Sequence, residues 1–315
     1  MDMNVLIADM NVGMEPEGYY ILKAAYPKVT AAGKPFLSAV VSDRSGSIEM
    51  KVWDYSGPIG AADAGKVIKI RGEVSEYRGA LQLTARRIRL ASENDRYDIS
   101  MLVPVAPIDP DKAFVFVRSL IASLPDEDYR RVCEEFLQKR ENAFRSIPAA
   151  KSYHHSFIGG LLMHTTNMLR TADFLASLYP EVLDRSLLIA GTLLHDFAKS
   201  EEFLFSELGI VTDYSVKGQL LGHLVMGAQE VLSVCAEKGV PEEKSVLLQH
   251  MILSHHGEPE FGAAVRPMCA EAELLSYIDG IDSRMEIYAE ELSDLPVGEF
   301  TQRVPALDKK IFRHF

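Results

Sequence analysis

Cysteine is scarce in this sequence: there are three in 315 residues, and none of Cys133, Cys235 and Cys269 stands in CxxC spacing. That argues against a disulfide framework and a thiolate zinc site, and for a reducing compartment. No run of about 18 apolar residues occurs, so no membrane span is expected. The first ten residues carry Asp2 and Asp9 and no basic stretch, unlike a secretory leader. A cytoplasmic location is the expectation. A glycine-rich loop of the Walker type is also missing, which sets aside kinase and ATPase chemistry. No internal repeat or low-complexity segment is apparent. What remains is ordinary for a protein with a full core, with 47% hydrophobic and 25% charged residues. A chain of 315 residues favours two domains over one.

The net charge is −12, which at first speaks against a polyanionic partner. Its distribution speaks otherwise. Residues 16–92 hold 12 Lys/Arg against 7 Asp/Glu, a local +5, so the remainder carries −17. A basic module on an acidic body is a recognisable asymmetry, although surface variation by chance produces the same count.

Strand signals fill the first hundred residues. Ile48, Met50 and Val52 alternate with Glu49, Lys51 and Trp53, and further strands are expected at Tyr19–Ala24, Pro35–Ser42, Lys66–Val74 and Ala80–Leu90. Turns are expected at Asp43–Gly46 and Tyr77–Gly79. Five short strands suit a small closed barrel of the OB type. From Asp109 the period turns helical, at 111–124 and 126–137. Five more helices are expected, over 161–178, 187–198, 220–238, 242–253 and 270–292, with nothing resembling a sheet after Ser152. The expected architecture is an all-β OB-like barrel (1–98), a helical connector (99–148), an all-α bundle (149–292) and a tail (293–315).

Eight of the nine histidines lie between His154 and His256. His164 follows Leu161 and Leu162, His195-Asp196 ends the oily run Leu187–Leu194, and Asp279 sits in an apolar stretch. A buried Asp beside a His needs partners, and a divalent cation accepts imidazole and carboxylate lone pairs together. A single such histidine would more often be a satisfied core residue. The ordered set His164, His195-Asp196 and Asp279 on separate helices resembles the H…HD…D fingerprint of the HD phosphohydrolase superfamily. That resemblance implies a helical bundle, one or two divalent ions, phosphoester hydrolysis, and catalytic roles for His195, Asp196 and Lys199. Asp196 would be the bridging ligand and Lys199 a phosphate contact. His223, His255 and His256 look like the second-metal ligands of binuclear members; alternatively, one or two of them support substrate around a single ion. The HD-GYP branch fits less well, because the residues after His256 lack its Gly-Tyr-Pro element. His250 reads as structural or supporting. Asp282, three residues beyond Asp279, is the alternative to it. His154 and His155 could face a substrate phosphate.

Trp53, the only tryptophan, falls on the polar face of its strand beside Lys51, as a single-strand binding surface requires; the alternative is that it packs under a loop or against the second domain. Phe36, Tyr77 and Arg78 are similar candidates, and Lys69, Arg71, Arg86, Arg87 and Arg89 add charge. The segments Glu17–Lys23, Gly33–Leu37, Asp43–Ile48 and Lys51–Asp54, followed by His154–Thr165, resemble YhaM-type 3′–5′ exoribonucleases over nearly the full chain. The resemblance implies removal of nucleoside monophosphates from the 3′ end of single-stranded RNA or DNA, with manganese. It leaves a homo-oligomer open. The alternative from another class is a regulatory nucleic-acid-binding protein whose HD domain binds metal or nucleotide without processive cleavage. A small-nucleotide phosphohydrolase would leave the basic barrel unexplained.

Overall fold

Five strands close into a barrel at the start of the chain: β1 (Glu17–Val29), β2 (Pro35–Asp43), β3 (Gly46–Trp53), β4 (Val67–Tyr77) and β5 (Ala80–Leu90). The computed structural model describes residues 4–150, 157–206 and 208–315. Strands β1, β2 and β3 form an antiparallel meander, β4 and β5 a hairpin. Two seams complete the ring, β1 antiparallel to β4 and β3 parallel to β5. This is the order expected of an OB barrel. Strand β1 runs longer than its periodicity suggested because an irregularity at Leu22–Ala24 bends it, letting one strand pair with both neighbours. The β4–β5 tip places both Arg78 and Gly79 at positive φ, the geometry of a tight hairpin. Alternation puts Leu37, Val41, Met50, Ile68, Ile70 and Leu83 inside.

A short helix α1 (Ile99–Leu102) precedes the helical unit. There α2 (Pro110–Ala122), α3 (Glu127–Ser146), α4 (Gly160–Leu178), α5 (Arg185–Leu194), α6 (Lys199–Glu202), α7 (Val216–Lys238), α8 (Glu242–Ser254) and α9 (Ala270–Ser293) follow. Asp109, Asp126 and Asp184 cap α2, α3 and α5 through side-chain acceptors for the first free N–H groups. The chain divides into residues 1–105 with 206–208, and residues 106–205 with 209–315. Each unit has its own hydrophobic core, and the two cores share no residue.

Three expectations need adjusting. The helix expected to reach Ala198 stops at Leu194, and residues 195–198 form tight turns before α6. The region after Ser152 is not wholly helical, since β6 (Phe203–Phe205) and β7 (Val211–Tyr214) pair as a small ribbon. Strands of three and four residues are too short to show a period. The helices read as a connector are core elements: Phe144 on α3 stacks on Phe197 at 4.7 Å between centroids, and Phe136 meets the same ring edge-on at 5.8 Å. Among the described residues no helix is long and apolar enough to cross a membrane. His154 and His155 lie outside the described residues.

Candidate metal centre

His164 sits in the first turns of α4, where Leu161, Leu162, Met168 and Leu169 bury the helix in the core and the imidazole with it. His195 and His255 use one device twice. Each caps the C-terminal end of a helix, α5 or α8, and its Nδ1 lies near the carbonyl three residues back, Thr192 at 2.8 Å and Ile252 at 2.7 Å. A carbonyl only accepts, so Nδ1 carries the proton and Nε2 keeps its lone pair. His195 Nε2 is 3.2 Å from Asp196 Oδ2, and His255 Nε2 is 3.8 Å from Asp196 Oδ1.

The other two buried rings are held by carboxylates. Glu202 Oε1 lies 3.1 Å from His223 Nδ1, and Asp282 Oδ2 lies 2.7 Å from His164 Nδ1. His223 Nε2 then stands 3.4 Å from Asp196 Oδ1, and His164 Nε2 stands 3.4 Å from Asp279 Oδ1 and 3.9 Å from Asp196 Oδ2. Helix α7 makes the His223 contact by breaking at Gly222, whose φ of 69° and ψ of 162° belong to glycine alone. The break aims the His223 N–H at Glu202 Oε1, 3.0 Å away.

Asp196 is the hub. Lys199 Nζ donates to its Oδ2 at 2.6 Å. Burial would raise the Asp196 pKa, but Lys199 and His195 outweigh it and hold the carboxyl well below the usual range. Burial would lower the His164 pKa, but Asp279 and Asp282 outweigh it and push it up to about 9. Burial pushes His255 and His256 the other way, aided by neighbouring imidazoles, so both stay neutral. Glu202 is kept ionised by its bond to His223 against the cost of burial.

Whether this donor set suits a cation can be judged from its orphaned atoms. His195 Nε2, His223 Nε2, His255 Nε2, His256 Nδ1 and Asp196 Oδ1 are buried without a hydrogen-bond partner. Each such atom costs about 1–3 kcal/mol. All can donate lone pairs, and a divalent cation satisfies them together. With His164 added, their residues fall into two trios, His164–His195–Asp196 and His223–His255–His256, each with its ligand atoms within 4.8 Å of one another. The residues fit the ion.

Every candidate metal residue from the sequence is therefore brought to one place, with Lys199 beside it. Asp279 belongs to neither trio but adjoins His164. His250 is remote in role, its Nε2 accepting from the Met268 N–H at 2.9 Å. Glu202 was missed: no spacing rule marks an orienting carboxylate three residues after a lysine. Asp282 was visible as the alternative to Asp279, and the structure gives both a part on His164. Orienting carboxylates tune metal affinity by about 10–100-fold. Glu202→Gln should accordingly weaken manganese at the His223 trio by that factor, read by calorimetric titration. Unchanged affinity would assign ring orientation to the backbone alone.

On the barrel, Trp53 is half exposed and pairs across β2–β3 with Phe36, their ring centroids 5.1 Å apart. It does not pack under a loop. Lys51 is less free than expected, since its Nζ donates to Ser38 Oγ at 2.7 Å and lies 3.5 Å from Glu49. Tyr77 is exposed at the β4–β5 tip with the Arg78 guanidinium over its ring at 5.3 Å. Trp53, Lys69, Arg71, Arg86, Arg87 and Arg89 line one cleft of about 640 Å³. Glu17, Glu73 and Asp95 pair with several of these cations, so the local positive excess is partly offset.

Comparison with known proteins agrees with both halves. Residues 164–284 match the HD domain family, and residues 28–91 match the OB-fold nucleic acid binding domain family. Among solved structures, the chain is similar to the second OB-fold domain of replication protein A from Methanococcus maripaludis. The identity is 19%, covering 30% of this chain and 100% of that one, with a TM-score of 0.23. It is also similar to an OB domain from Thermoplasma acidophilum, at 17% identity over 30% of this chain and 90% of that one, with a TM-score of 0.24. The chain thus joins an OB-fold nucleic-acid-binding domain to an HD domain, the fold of metal-dependent phosphohydrolases.

Proposed function

We propose that this protein is a cytoplasmic, manganese-dependent 3′–5′ exoribonuclease acting on single-stranded RNA. The observation that carries the hydrolytic part is the convergence of five orphaned lone-pair atoms on and around Asp196. The barrel, with Trp53 half exposed and packed beside the partly buried Phe36, supports a strand as the substrate. Direction and preference for RNA rest on the resemblance to YhaM-type enzymes.

Divalent ions held there would lower the pKa of water and neutralise charge gathering on the phosphoryl oxygens. The chain's own groups prepare the site. Thr192, Ile252, Glu202 and Asp282 fix four ring orientations, so the rings need not turn to meet an ion, although His164 must give up a proton to it. Lys199 keeps Asp196 ionised and lines the open side of the centre, where it can meet a nonbridging phosphate oxygen as a point charge. The packing of Phe197 between Phe136 and Phe144 fixes the neighbouring Asp196 backbone.

The test is a short 5′-labelled single-stranded RNA incubated with the full chain and manganese, magnesium or chelator. A ladder shortening from the 3′ end is expected with manganese and none with chelator, while a circular RNA of the same sequence stays intact. Cleavage of the circle would make the enzyme an endonuclease, and an untouched linear RNA would end the proposal.

A further inference from the structure

Beside the metal centre lies a cleft of about 1000 Å³, and Lys199, His256 and Asp279 form part of its wall. This is the upper end of the roughly 300–1000 Å³ typical of small-ligand sites, so it has room beyond a scissile phosphate. Most of the rest of its wall comes from residues 257–267 and the flank of α9, with Ala149, His164 and His255 completing it. Metal binding explains none of what that wall presents. Phe261 is 74% exposed and Tyr277 is 59% exposed, and both line the cleft. Ile281 and Met285 continue from Tyr277 at four-residue steps, an exposed apolar stripe along α9. Arg284 also lines the cleft, and among the described residues it enters no ion pair.

The loop that carries Phe261 is pinned, so the exposed ring is not a product of slack chain. Phe261 N–H donates to the Glu258 carbonyl at 2.9 Å, and Ala264 N–H to the Leu253 carbonyl at 2.9 Å. Arg266 Nε donates to Glu258 at 2.8 Å, and Met268 N–H to His250 Nε2 at 2.9 Å. Gly262 backs onto the centre itself, where a Cβ would lie 3.3 Å from His256 Nδ1. Tyr277 is carried by α9 itself, in the interior of a 24-residue helix. Two aromatic faces are thus held open beside a phosphate-cleaving centre, with a guanidinium alongside.

We propose that this cleft is a stacking subsite for the unpaired bases at the end being cut, with Phe261 and Tyr277 taking bases and Arg284 a phosphate. The proposal rests on the nuclease reading and deepens it. Aromatic faces accept any base but only when it is unpaired, because a paired base has its faces covered by neighbours. The HD domain therefore selects single-stranded ends by itself, independently of the barrel.

The test crosses a protein change with a substrate change in the full chain. Fluorescence anisotropy would compare an intact RNA oligonucleotide with one whose last 3′ residues are abasic, and elemental analysis would follow bound manganese. The wild type should bind the abasic end about tenfold or more weakly, the usual loss of a stacked base. The Phe261→Ala/Tyr277→Ala variant should bind intact RNA weakly by the same factor and lose nothing further on the abasic strand, with manganese content unchanged. Tyr277→Phe, which keeps the ring, should bind like the wild type, and Arg284→Ala should raise KM more than it lowers kcat. Additive losses in the double variant, or a wild type indifferent to missing bases while still cutting, overturn the subsite alone. So does a concentration-dependent dimer abolished by the double variant, which would give the stripe to a second copy of the chain. A wild type that neither binds nor cuts RNA overturns the nuclease reading, and the subsite with it.

Discussion

Asp196→Ala is expected to bring turnover to background and to strip the protein of its bound divalent metal. The reason is connectivity. One carboxylate stands within reach of His164, His195, His223 and His255, and so belongs to one trio and adjoins the other. Its loss removes a ligand from one trio and, from the other, a carboxylate 3.4 Å from His223 Nε2. It also leaves the partly buried Lys199 ammonium without its 2.6 Å partner. Breaking a fully buried ion pair from one side costs about 3–5 kcal/mol, so this half-open pair should cost less, and the variant should unfold somewhat more easily. Asp196→Asn separates the two effects, since it keeps the shape and gives up the charge. Turnover on labelled RNA, metal content and a denaturant melt measure all of this. Full activity in either variant would remove Asp196 from the centre of the argument.

The second large effect is expected from removing the barrel. A chain beginning at Ala106 retains its own core and every ligand described above. It should turn over a small phosphodiester within a few-fold of the full chain, yet lose most of its activity on long single-stranded RNA. What it loses is the part carrying +5 over residues 16–92 and the Trp53–Phe36 pair. In the full chain, Trp53→Ala alone should weaken RNA binding by about 1–3 kcal/mol, one stacked base. Affinity should also fall with salt, with a logarithmic slope of about −0.7 per phosphate contacted. Anisotropy over a salt series beside turnover of both substrates decides the matter. RNA processing that survives the truncation unchanged would leave the barrel without a part in substrate handling.

Much of this was legible beforehand, and what was not has identifiable physical causes. The barrel could be read from two-residue alternation, clearest at Ile48, Met50 and Val52, because each inward side chain lies in a closed ring with no edge. The clustering of the candidate metal residues could be read because histidine and aspartate are expensive at the ends of oily helices, and a cation would satisfy so many together. Glu202 escaped because its partner, His223, is reached only through the break at Gly222, a backbone event with no periodic signature. Phe261 escaped for a related reason. Its loop is shaped by main-chain hydrogen bonds, and sequence patterns of apolar residues report burial, not deliberate exposure. The reach of α3 into the bundle core was hidden by sequence distance, since Phe144 and Phe197 meet across more than fifty residues.

The two disjoint cores carry a consequence for how this protein's stability can be spoken of. Cooperative unfolding requires that loss of one contact propagate to the rest through shared packing, and no buried apolar residue belongs to both clusters. A chain built this way need not melt in one all-or-none step, so a single midpoint temperature or unfolding free energy describes neither half. A ligand that binds only the folded bundle stabilises that half by mass action and can leave the barrel's own equilibrium where it was. Substitutions at Asp196 and at Trp53 accordingly draw on different reserves: each erodes the margin of the unit it sits in, and a surplus in one cannot rescue the other.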